Sequence, residues 1–182
     1  VWSGAITGGD EQSIELKLGI DETLPLALAD IREMQFHSDR ILYVSDLKPE
    51  SYDFEPFAAT QWPYRLNRSV ANRPLRIGGQ TYDKGIGMHS KATLTYKLPE
   101  GYTKLAATIG IDDAVRPLGS VVYRIQTDGK EIYNSGTVTG RDKPQSIVVP
   151  VDGARELKLI VEFGDDLDIG DQADWGNIRL IK

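Results

Sequence analysis

The sequence contains no cysteine and only two histidines. The absence of cysteine excludes disulfide bonds, thiol catalysis and thiolate metal ligands. Two histidines leave few pairs of a nucleophile and a base for covalent catalysis. No apolar run approaches the roughly 20 residues that a transmembrane helix needs. We therefore expect a protein that does not span a membrane.

Basic residues are also fewer than acidic ones, 21 Lys and Arg against 27 Asp and Glu, which gives a net charge of −6. A surplus of negative charge repels a phosphate backbone, so we do not expect nucleic acid as a partner. Hydrophobic residues make up 40% of the chain, which is enough for a packed core. The length of 182 residues suits one domain, or one domain with an appendage.

Alternation of apolar and polar residues is the dominant pattern in this sequence. It occurs over residues 14–18, 94–98, 121–125 and 157–163, and it is typical of strands with one face in a core. Asp128-Gly129 predicts a two-residue hairpin, because a type I′ turn needs positive φ at both central positions. With 18 Gly and 9 Pro spread along the chain, we predict an all-β fold, a sandwich or barrel of short strands.

The N-terminal part differs from the rest. Turns at Gly8-Gly9 and at 19–22 predict a three-stranded β-meander whose last strand lies within 24–36, and such a meander buries little by itself. We therefore predict two parts, an N-terminal β-meander extension over 1–40 and a sandwich domain over 41–182.

Residues 46–74 lack a clean period. The segment contains four prolines and several aromatic residues, namely Tyr52, Phe54, Phe57, Trp62 and Tyr64. This composition predicts a long ordered loop that is pinned by its aromatic side chains.

A glycine-rich segment over residues 78–90 is the first candidate site. Four glycines are interleaved with Tyr82, Lys84 and His89, and glycine permits close backbone approach and unusual φ angles. The spacing is not a dinucleotide fingerprint and no helix follows, which argues against phosphate binding. Two interpretations remain open: a glycine-bent pair of strands in which His89 satisfies a buried carbonyl, or a ligand contact through His89.

Five aspartates between residues 165 and 174 form the second candidate site. Carboxylates this close repel one another unless they are solvated, hydrogen-bonded or bound to a metal. Asp166, Asp168 and Asp171 are the predicted ligands of a calcium ion, although the EF-hand pattern fails at its Gly and at its final Glu. A solvated acidic turn is the alternative interpretation.

Asp112 and Asp113 follow a predicted strand and could bind sugar hydroxyls or a metal, or act as acid and base. Asp112 with Asp174 is the pair that a glycoside hydrolase would need across a cleft, about 5–9.5 Å apart. Trp175 follows Asp174 and suits either a core position or a stacking platform for a sugar. Because no Gly-x-Ser-x-Gly elbow occurs and bases are few, we expect no enzymatic activity.

Several blocks of the sequence, in order from about residue 41 to 181, resemble the NPCBM family of carbohydrate-binding modules. The blocks are Tyr43-Val44-Ser45-Asp46-Leu47, Tyr82-Asp83-Lys84-Gly85-Ile86-Gly87-Met88-His89-Ser90, Thr93–Leu98, Gly101-Tyr102, Ile109-Gly110-Ile111-Asp112-Asp113, Thr127-Asp128-Gly129-Lys130, Asn134-Ser135-Gly136 and Ala173-Asp174-Trp175. Each block alone is a weak signal, but their common order is specific.

The resemblance implies a galactose-binding-domain-like β-sandwich with jelly-roll topology. Family members bind sugars through loops at one end of the sandwich, and some hold a structural calcium. Carried onto this chain, the implied carbohydrate-binding residues are His89, Trp175, Asp112, Asp113 and Asp174, with Tyr82 and Lys84 as weaker candidates. Such modules belong to secreted glycoside hydrolases and other exported bacterial proteins, so the resemblance implies a secreted, periplasmic or cell-surface location.

The chain departs from the family pattern at three positions. Gln172 stands where the family often has His, Asn177 where an acidic residue is common, and Met88 where a smaller residue is usual. Because the chain begins with Val1 rather than Met, we expect it to be part of a larger polypeptide. We predict a non-catalytic module that binds a carbohydrate ligand, and the alternative is a structural or protein-interaction domain that has lost sugar binding.

Overall fold

A computed structural model of the protein describes residues 2–19, 22–31, 34, 40–57 and 60–182. The chain divides into two compact units, Val1–His37 and Ser38–Lys182. The domain boundary after residue 40 stays a prediction. Within the described residues, no helix is both long enough and apolar enough to cross a membrane.

The N-terminal unit contains a three-stranded antiparallel meander in the order β1-β2-β3. Its strands are β1 (Ala5–Gly9), β2 (Ser13–Lys17) and β3 (Thr23–Ala27). The first turn does not lie at Gly8-Gly9 as predicted, because the Asp10 carboxylate accepts hydrogen bonds from the backbone N–H groups of Gln12 and Ser13, both at 2.8 Å. The third strand is shorter than the predicted segment and passes into a 3₁₀ turn, after which residues 32–33 and 35–39 lie outside the described residues.

The C-terminal unit consists of two large antiparallel sheets that face each other and a separate two-stranded antiparallel sheet. Its strands are β4 (Ile41–Tyr43), β5 (Ser51–Phe54), β6 (Arg65–Leu66), β7 (Leu75–Ile77), β8 (Gln80–Tyr82), β9 (Gly85–His89), β10 (Ala92–Lys97), β11 (Lys104–Ile111), β12 (Ser120–Thr127), β13 (Lys130–Thr139), β14 (Gln145–Pro150), β15 (Glu156–Phe163) and β16 (Gln172–Ile181). The first sheet has the order β13-β12-β15-β10-β5, the second has the order β14-β11-β16-β9-β6 with β4 also paired to β16, and the two-stranded sheet is β7-β8. This arrangement confirms the predicted all-β sandwich.

Apolar side chains from both sheets fill the space between them. Along β12, Val121, Tyr123 and Ile125 are fully buried, as their alternation predicts. The ring of Tyr123 meets the ring of Trp175 edge to face, with centroids 5.0 Å apart. The Tyr123 hydroxyl donates a hydrogen bond of 2.6 Å to the carbonyl of Gly110, so this buried polar group is satisfied.

Residues 67–82, which we call the covering segment, lie on the outer face of the second sheet over β9, β11 and β16, whereas Val148 on the edge strand β14 is exposed. A Cβ atom at Gly87 of β9 would lie 2.5 Å from the backbone nitrogen of Val70, and one at Gly110 of β11 would lie 2.4 Å from the Ile77 side chain. Glycine at these positions therefore lets the segment lie directly against the strands. The turn between β7 and β8 is Gly78-Gly79, with φ of 59° and 87°, which explains the predicted glycine-rich motif structurally.

The register of the strands gathers five connections at one end of the sandwich, which we call the loop end. Gln172 pairs with His89, Ala173 with Ile111 and Val161 with Ala92, so these strand ends lie at the same level. The described connections at the loop end are 55–57 with 60–64, 90–91, 112–119, 140–144 and 164–171. The predicted loop over 46–74 is thus interrupted by β5 and β6, and its second half belongs to the loop end and the covering segment.

Candidate functional site

A tryptophan and a histidine stack on each other at the loop end. The rings of Trp62 and His89 are parallel within 1°, and their centroids are 4.8 Å apart. The Tyr52 hydroxyl donates a hydrogen bond of 2.6 Å to the carbonyl of Trp62, and Phe54 meets the His89 ring edge to face at 6.5 Å. His89 is only 3% exposed whereas Trp62 is partly exposed. The indole is therefore the member of the pair that solvent and ligands can reach.

The His89 ring is held in one tautomer. Its Nδ1 lies 2.8 Å from the backbone carbonyl of Ser90, and a carbonyl only accepts hydrogen bonds, so Nδ1 carries the hydrogen. Burial lowers the pKa of His89, while the Ser90 carbonyl and the nearby Asp168 carboxylate oppose that shift. The ring is therefore neutral at pH 7, and Nε2 is a hydrogen-bond acceptor.

An open cleft lies beside this pair, between β5, β10 and β15. It has a volume of about 410 Å³ and is lined by Tyr52, Asp53, Phe54, Glu55, Lys91, Ala92, Thr93 and Glu162. Lys91 Nζ donates to Glu55 at 2.9 Å across the rim. This hydrogen bond with Glu55 raises the pKa of Lys91. The cleft therefore offers charged hydrogen-bonding groups, and it shares Tyr52 and Phe54 with the surroundings of the Trp62–His89 pair.

The three aspartates that were predicted to bind calcium do not form a three-ligand cluster. Asp171 is fully buried and accepts hydrogen bonds from Ser90 Oγ and from the Ser120 N–H. Asp166 and Asp168 are partly exposed. Nowhere in the described part of the chain do three His, Asp or Glu side chains come together to hold a metal ion. The residues present do not fit the predicted site, and calcium binding itself stays a prediction.

Asp112 and Asp174 form a buried carboxyl pair beneath the covering segment, with 1% and 0% exposure. Burial raises the pKa of Asp174 well above its ordinary value, and the Asp112 carboxyl beside it raises that pKa further. Within the described residues, no hydrogen-bond donor of normal geometry reaches either oxygen of Asp174 or Oδ2 of Asp112. A proton shared between the two carboxyl groups would supply one hydrogen bond between them.

This burial contradicts two predictions for the pair. Asp112 and Asp174 cannot contact a glycan from beneath the covering segment, and they do not face each other across an open cleft as a hydrolase would require. The sequence places both residues at strand ends but does not reveal which side of the sheet is covered.

Asp113 braces the β7–β8 turn. Its two oxygens accept hydrogen bonds from the N–H groups of Gly78 and Gly79, at 2.8 and 2.7 Å. Arg76 and Arg116 lie 3.4 and 3.5 Å from the same carboxylate. These contacts engage the carboxylate that was predicted to bind sugar, and they give it a bracing role in this structure.

The remaining predicted residues lie apart from the loop end or inside the core. Trp175 is fully buried against Tyr123, which contradicts the stacking platform and agrees with the core interpretation. Tyr82 packs on Gly176, where a Cβ atom would lie 2.9 Å from the phenol ring. Lys84 makes an ion pair with Asp46 at 2.5 Å.

The structure shows where the three departures from the family pattern lie. Gln172 is the cross-strand neighbour of His89, so that departure falls at the loop end. Asn177 adopts a φ of 49°, a left-handed conformation that asparagine tolerates better than most residues. Met88 is fully buried in the core, away from solvent.

Sequence reasoning did not identify Trp62 as a site residue. The feature of the sequence that could have indicated Trp62 is the aromatic, proline-containing segment in which it lies, because such a loop can hold a ring at a fixed angle. Its pairing with His89 depends on the return of β9 to the loop end, which no local pattern reports.

Two facing antiparallel sheets, with a partly exposed aromatic ring held at the loop end, define a β-sandwich of the carbohydrate-binding-module type. The chain belongs to the NPCBM/NEW2 domain family, whose model matches residues 40–181.

Solved structures share this fold. The CBM51 of Clostridium perfringens GH95, solved in complex with methyl-galactose, superimposes with a TM-score of 0.69 at 24% identity over 77% of this chain and 99% of that one. The CBM51-2 and INT domains of Clostridium perfringens ZmpB, in complex with GlcNAc, superimpose with a TM-score of 0.72 at 22% identity over 98% of this chain and 39% of that one.

A curated relative is more similar in sequence over a shorter stretch. Alpha-1,3-galactosidase B of Akkermansia muciniphila is 33% identical over 115 residues, which are 61% of this chain and 14% of that enzyme. Another curated relative is matched over 7% of its own length. The chain therefore spans only a small part of the curated relatives that it matches.

Proposed function

We propose that this protein is a non-catalytic carbohydrate-binding module that binds a glycan at the loop end, with Trp62 as the stacking platform. The observation that carries the proposal is the partly exposed Trp62 ring held parallel to the buried His89 ring. Membership of the NPCBM/NEW2 family and the fold shared with sugar-bound CBM51 structures support it.

The chemistry of the site suits a pyranose ring. The C–H face of a sugar packs on an indole, while a few convergent polar groups fix its orientation. Here the buried His89 ring supports the indole by stacking, and we propose Asp168 of the neighbouring acidic loop as one of the polar groups. Because such a site buries little area for each polar group that it desolvates, we expect a Kd of roughly 10⁻⁵ to 10⁻³ M.

The module would serve a larger exported protein. The enzyme relative acts on galactosides by its name, and the two solved neighbours carry methyl-galactose and GlcNAc. We therefore propose galactose-containing and N-acetylhexosamine-containing glycans as the ligand class, with methyl galactoside and GlcNAc as the first probes. Secretion or display on the cell surface is part of the same proposal.

A glycan array with the purified chain tests this function, followed by titration calorimetry with methyl galactoside and GlcNAc. We expect Trp62→Ala to weaken binding about tenfold or more, because the stacking surface is lost. Trp2→Ala is the matched control, since Trp2 is 63% exposed and belongs to the N-terminal unit. Equal binding by wild type and Trp62→Ala would refute the site, and a blank array with a folded protein would refute the function.

Exposed aliphatic residues at the loop end favour a second candidate function, an interaction domain without sugar binding. Leu118, Leu167 and Ile169 are each more than half exposed, and all three lie in loop-end connections. Such a patch is typical of a protein contact. Self-association in sedimentation velocity that is abolished by Leu118→Ser would support this function, and a monomer at all concentrations would weaken it.

A further inference from the structure

Ser120, the first residue of β12, holds both ends of the acidic loop 164–171. Its carbonyl accepts a hydrogen bond from Gly164 N–H at 2.7 Å, and its Oγ accepts one from Asp165 N–H at 2.9 Å. At the far end of the loop, the Ser120 N–H donates to Asp171 Oδ1 at 2.9 Å. All three polar groups of one residue are thus used to close the loop.

Asp171 extends this closure to the strand that carries His89. Its second oxygen accepts a hydrogen bond from Ser90 Oγ, the residue directly after His89. Asp171 is fully buried, so its two hydrogen bonds are sheltered from competing water. The carboxylate therefore joins three segments that are distant in sequence: the acidic loop, the start of β12 and the end of β9.

The proposed binding site also includes Asp168 of the acidic loop. Asp168 lies near enough to His89 to oppose the lowering of its pKa. The acidic loop is fixed at its two ends, by Ser120 at residues 164–165 and by the hydrogen bonds of Asp171 at the other end. These two attachments set the position of Asp168 relative to the Trp62–His89 pair.

We propose that Asp171 is a positioning residue for glycan binding, which holds the acidic loop and Asp168 in register with the Trp62–His89 pair and makes a bound metal ion unnecessary for that purpose. This inference rests on the proposed function, because it concerns the same site. It replaces the role in calcium binding that the sequence suggested for Asp171 with an internal hydrogen-bonded link.

Three variants test the inference by titration calorimetry with methyl galactoside and GlcNAc, with and without EDTA. We expect Asp171→Ala to weaken binding about tenfold or more. Asp171→Asn should retain most of the affinity, because its Oδ1 can accept from Ser120 N–H while its Nδ2 donates to Ser90 Oγ. Asp165→Ala is the matched control, since it removes an exposed carboxylate from the same loop while its backbone N–H still donates to Ser120.

Amide hydrogen exchange supplies a measurement that needs no ligand. In Asp171→Ala we expect faster exchange at residues 164–171 and no change in the strands of the first sheet. The conservative variant Asp171→Asn should restore both the protection and the affinity, which a general loss of stability would not allow.

The outcomes separate this inference from the function on which it rests. If Trp62→Ala abolishes binding while Asp171→Ala leaves affinity and exchange unchanged, the positioning role is wrong and the site stands. If EDTA abolishes wild-type binding, a metal ion holds the loop and the inference is overturned. If wild type binds no glycan, both fail.

Discussion

Two of the three tryptophans differ in burial: one lies at the loop end and the other lies inside the sandwich. Trp62 is partly exposed and lies on His89, in a connection between strands. Trp175 is fully buried on β16 and meets Tyr123. Part of the first side chain is in contact with solvent, whereas the second contributes its whole surface to the core. Exposure, rather than residue type, is the reason why we propose a binding role for Trp62 and a folding role for Trp175.

The aspartates of the same two regions differ in a parallel way. Asp171 has a donor for each oxygen, from Ser90 and Ser120, and stays connected to the loop end. Asp112 and Asp174 lie beneath the covering segment and have each other as neighbours. Asp112 Oδ1 accepts a hydrogen bond of 2.8 Å from Ala114 N–H, whereas burial disfavours the charged form of Asp174, so the proton of Asp174 is held more tightly. We therefore expect the covered face to make stability depend on pH, and we propose that sugar affinity depends on the loop end.

The largest expected effect is on the core tryptophan. Trp175→Ala removes a large buried side chain, so we expect the free energy of unfolding to fall by about 3–5 kcal/mol. Trp62→Ala should lower it far less, because its ring is already partly in solvent. Urea denaturation followed by circular dichroism measures both variants. Similar losses of stability in the two variants would contradict the division between core and loop end.

The pH dependence of stability sharpens the comparison of the aspartates. The pKa of Asp174 is raised by burial from its ordinary value of 3.8, so the folded state binds the proton more tightly than the unfolded chain. The stabilisation is complete below about 3.8 and is lost as pH rises through the folded pKa. We expect Asp174→Asn, which resembles the protonated acid, to reduce this fall in the free energy of unfolding.

Asp171 contributes to the same pH dependence, but over a narrower pH range. Burial raises its pKa to about 6, although hydrogen bonds from Ser120 and Ser90 oppose the shift. The contribution of Asp171 to the fall in the free energy of unfolding therefore ends near pH 6. Any further fall in this free energy above that pH in wild type belongs to groups whose pKa is raised more strongly, such as Asp174. If urea denaturation between pH 4 and 8 gives the same slope for wild type and Asp174→Asn, the buried carboxyl pair is not the source.

Local sequence patterns were sufficient for most of the sandwich. Alternation located β12 and β15, and Asp128-Gly129 forms the predicted hairpin with φ of 48° and 78°. These features depend on neighbouring residues alone. The turn at Asp10 was missed because the prediction relied on glycine alone. An aspartate also stabilises a tight turn when its carboxylate accepts hydrogen bonds from two nearby N–H groups, as Asp10 does.

The candidate site was only partly predictable for the opposite reason. His89 was identified, but the residues around it come from distant segments whose meeting depends on strand order. The burial of Asp112 and Asp174 depends on the covering segment, which packs on glycines at positions 87 and 110. No periodicity in β11 or β16 distinguishes a covered outer face from a solvated one, so their exposure could not be assigned.

Asp113 joins the two regions, and its removal is the smallest of the expected effects on stability. Asp113→Ala loses the hydrogen bonds to Gly78 and Gly79 that fix the covering hairpin at the loop end. Since the side chain is 19% exposed and water can replace part of the loss, we expect the free energy of unfolding to fall by about 1–2 kcal/mol. Hydrogen exchange should show lost protection at Gly78 and Gly79, while glycan affinity stays at the wild-type value because Trp62 and His89 are unaffected.

Glu100→Ala, at an exposed turn, is the control for Asp113→Ala. A loss of glycan affinity in Asp113→Ala would mean that the covering segment and the binding site are one unit, and the separation of the two regions would not hold.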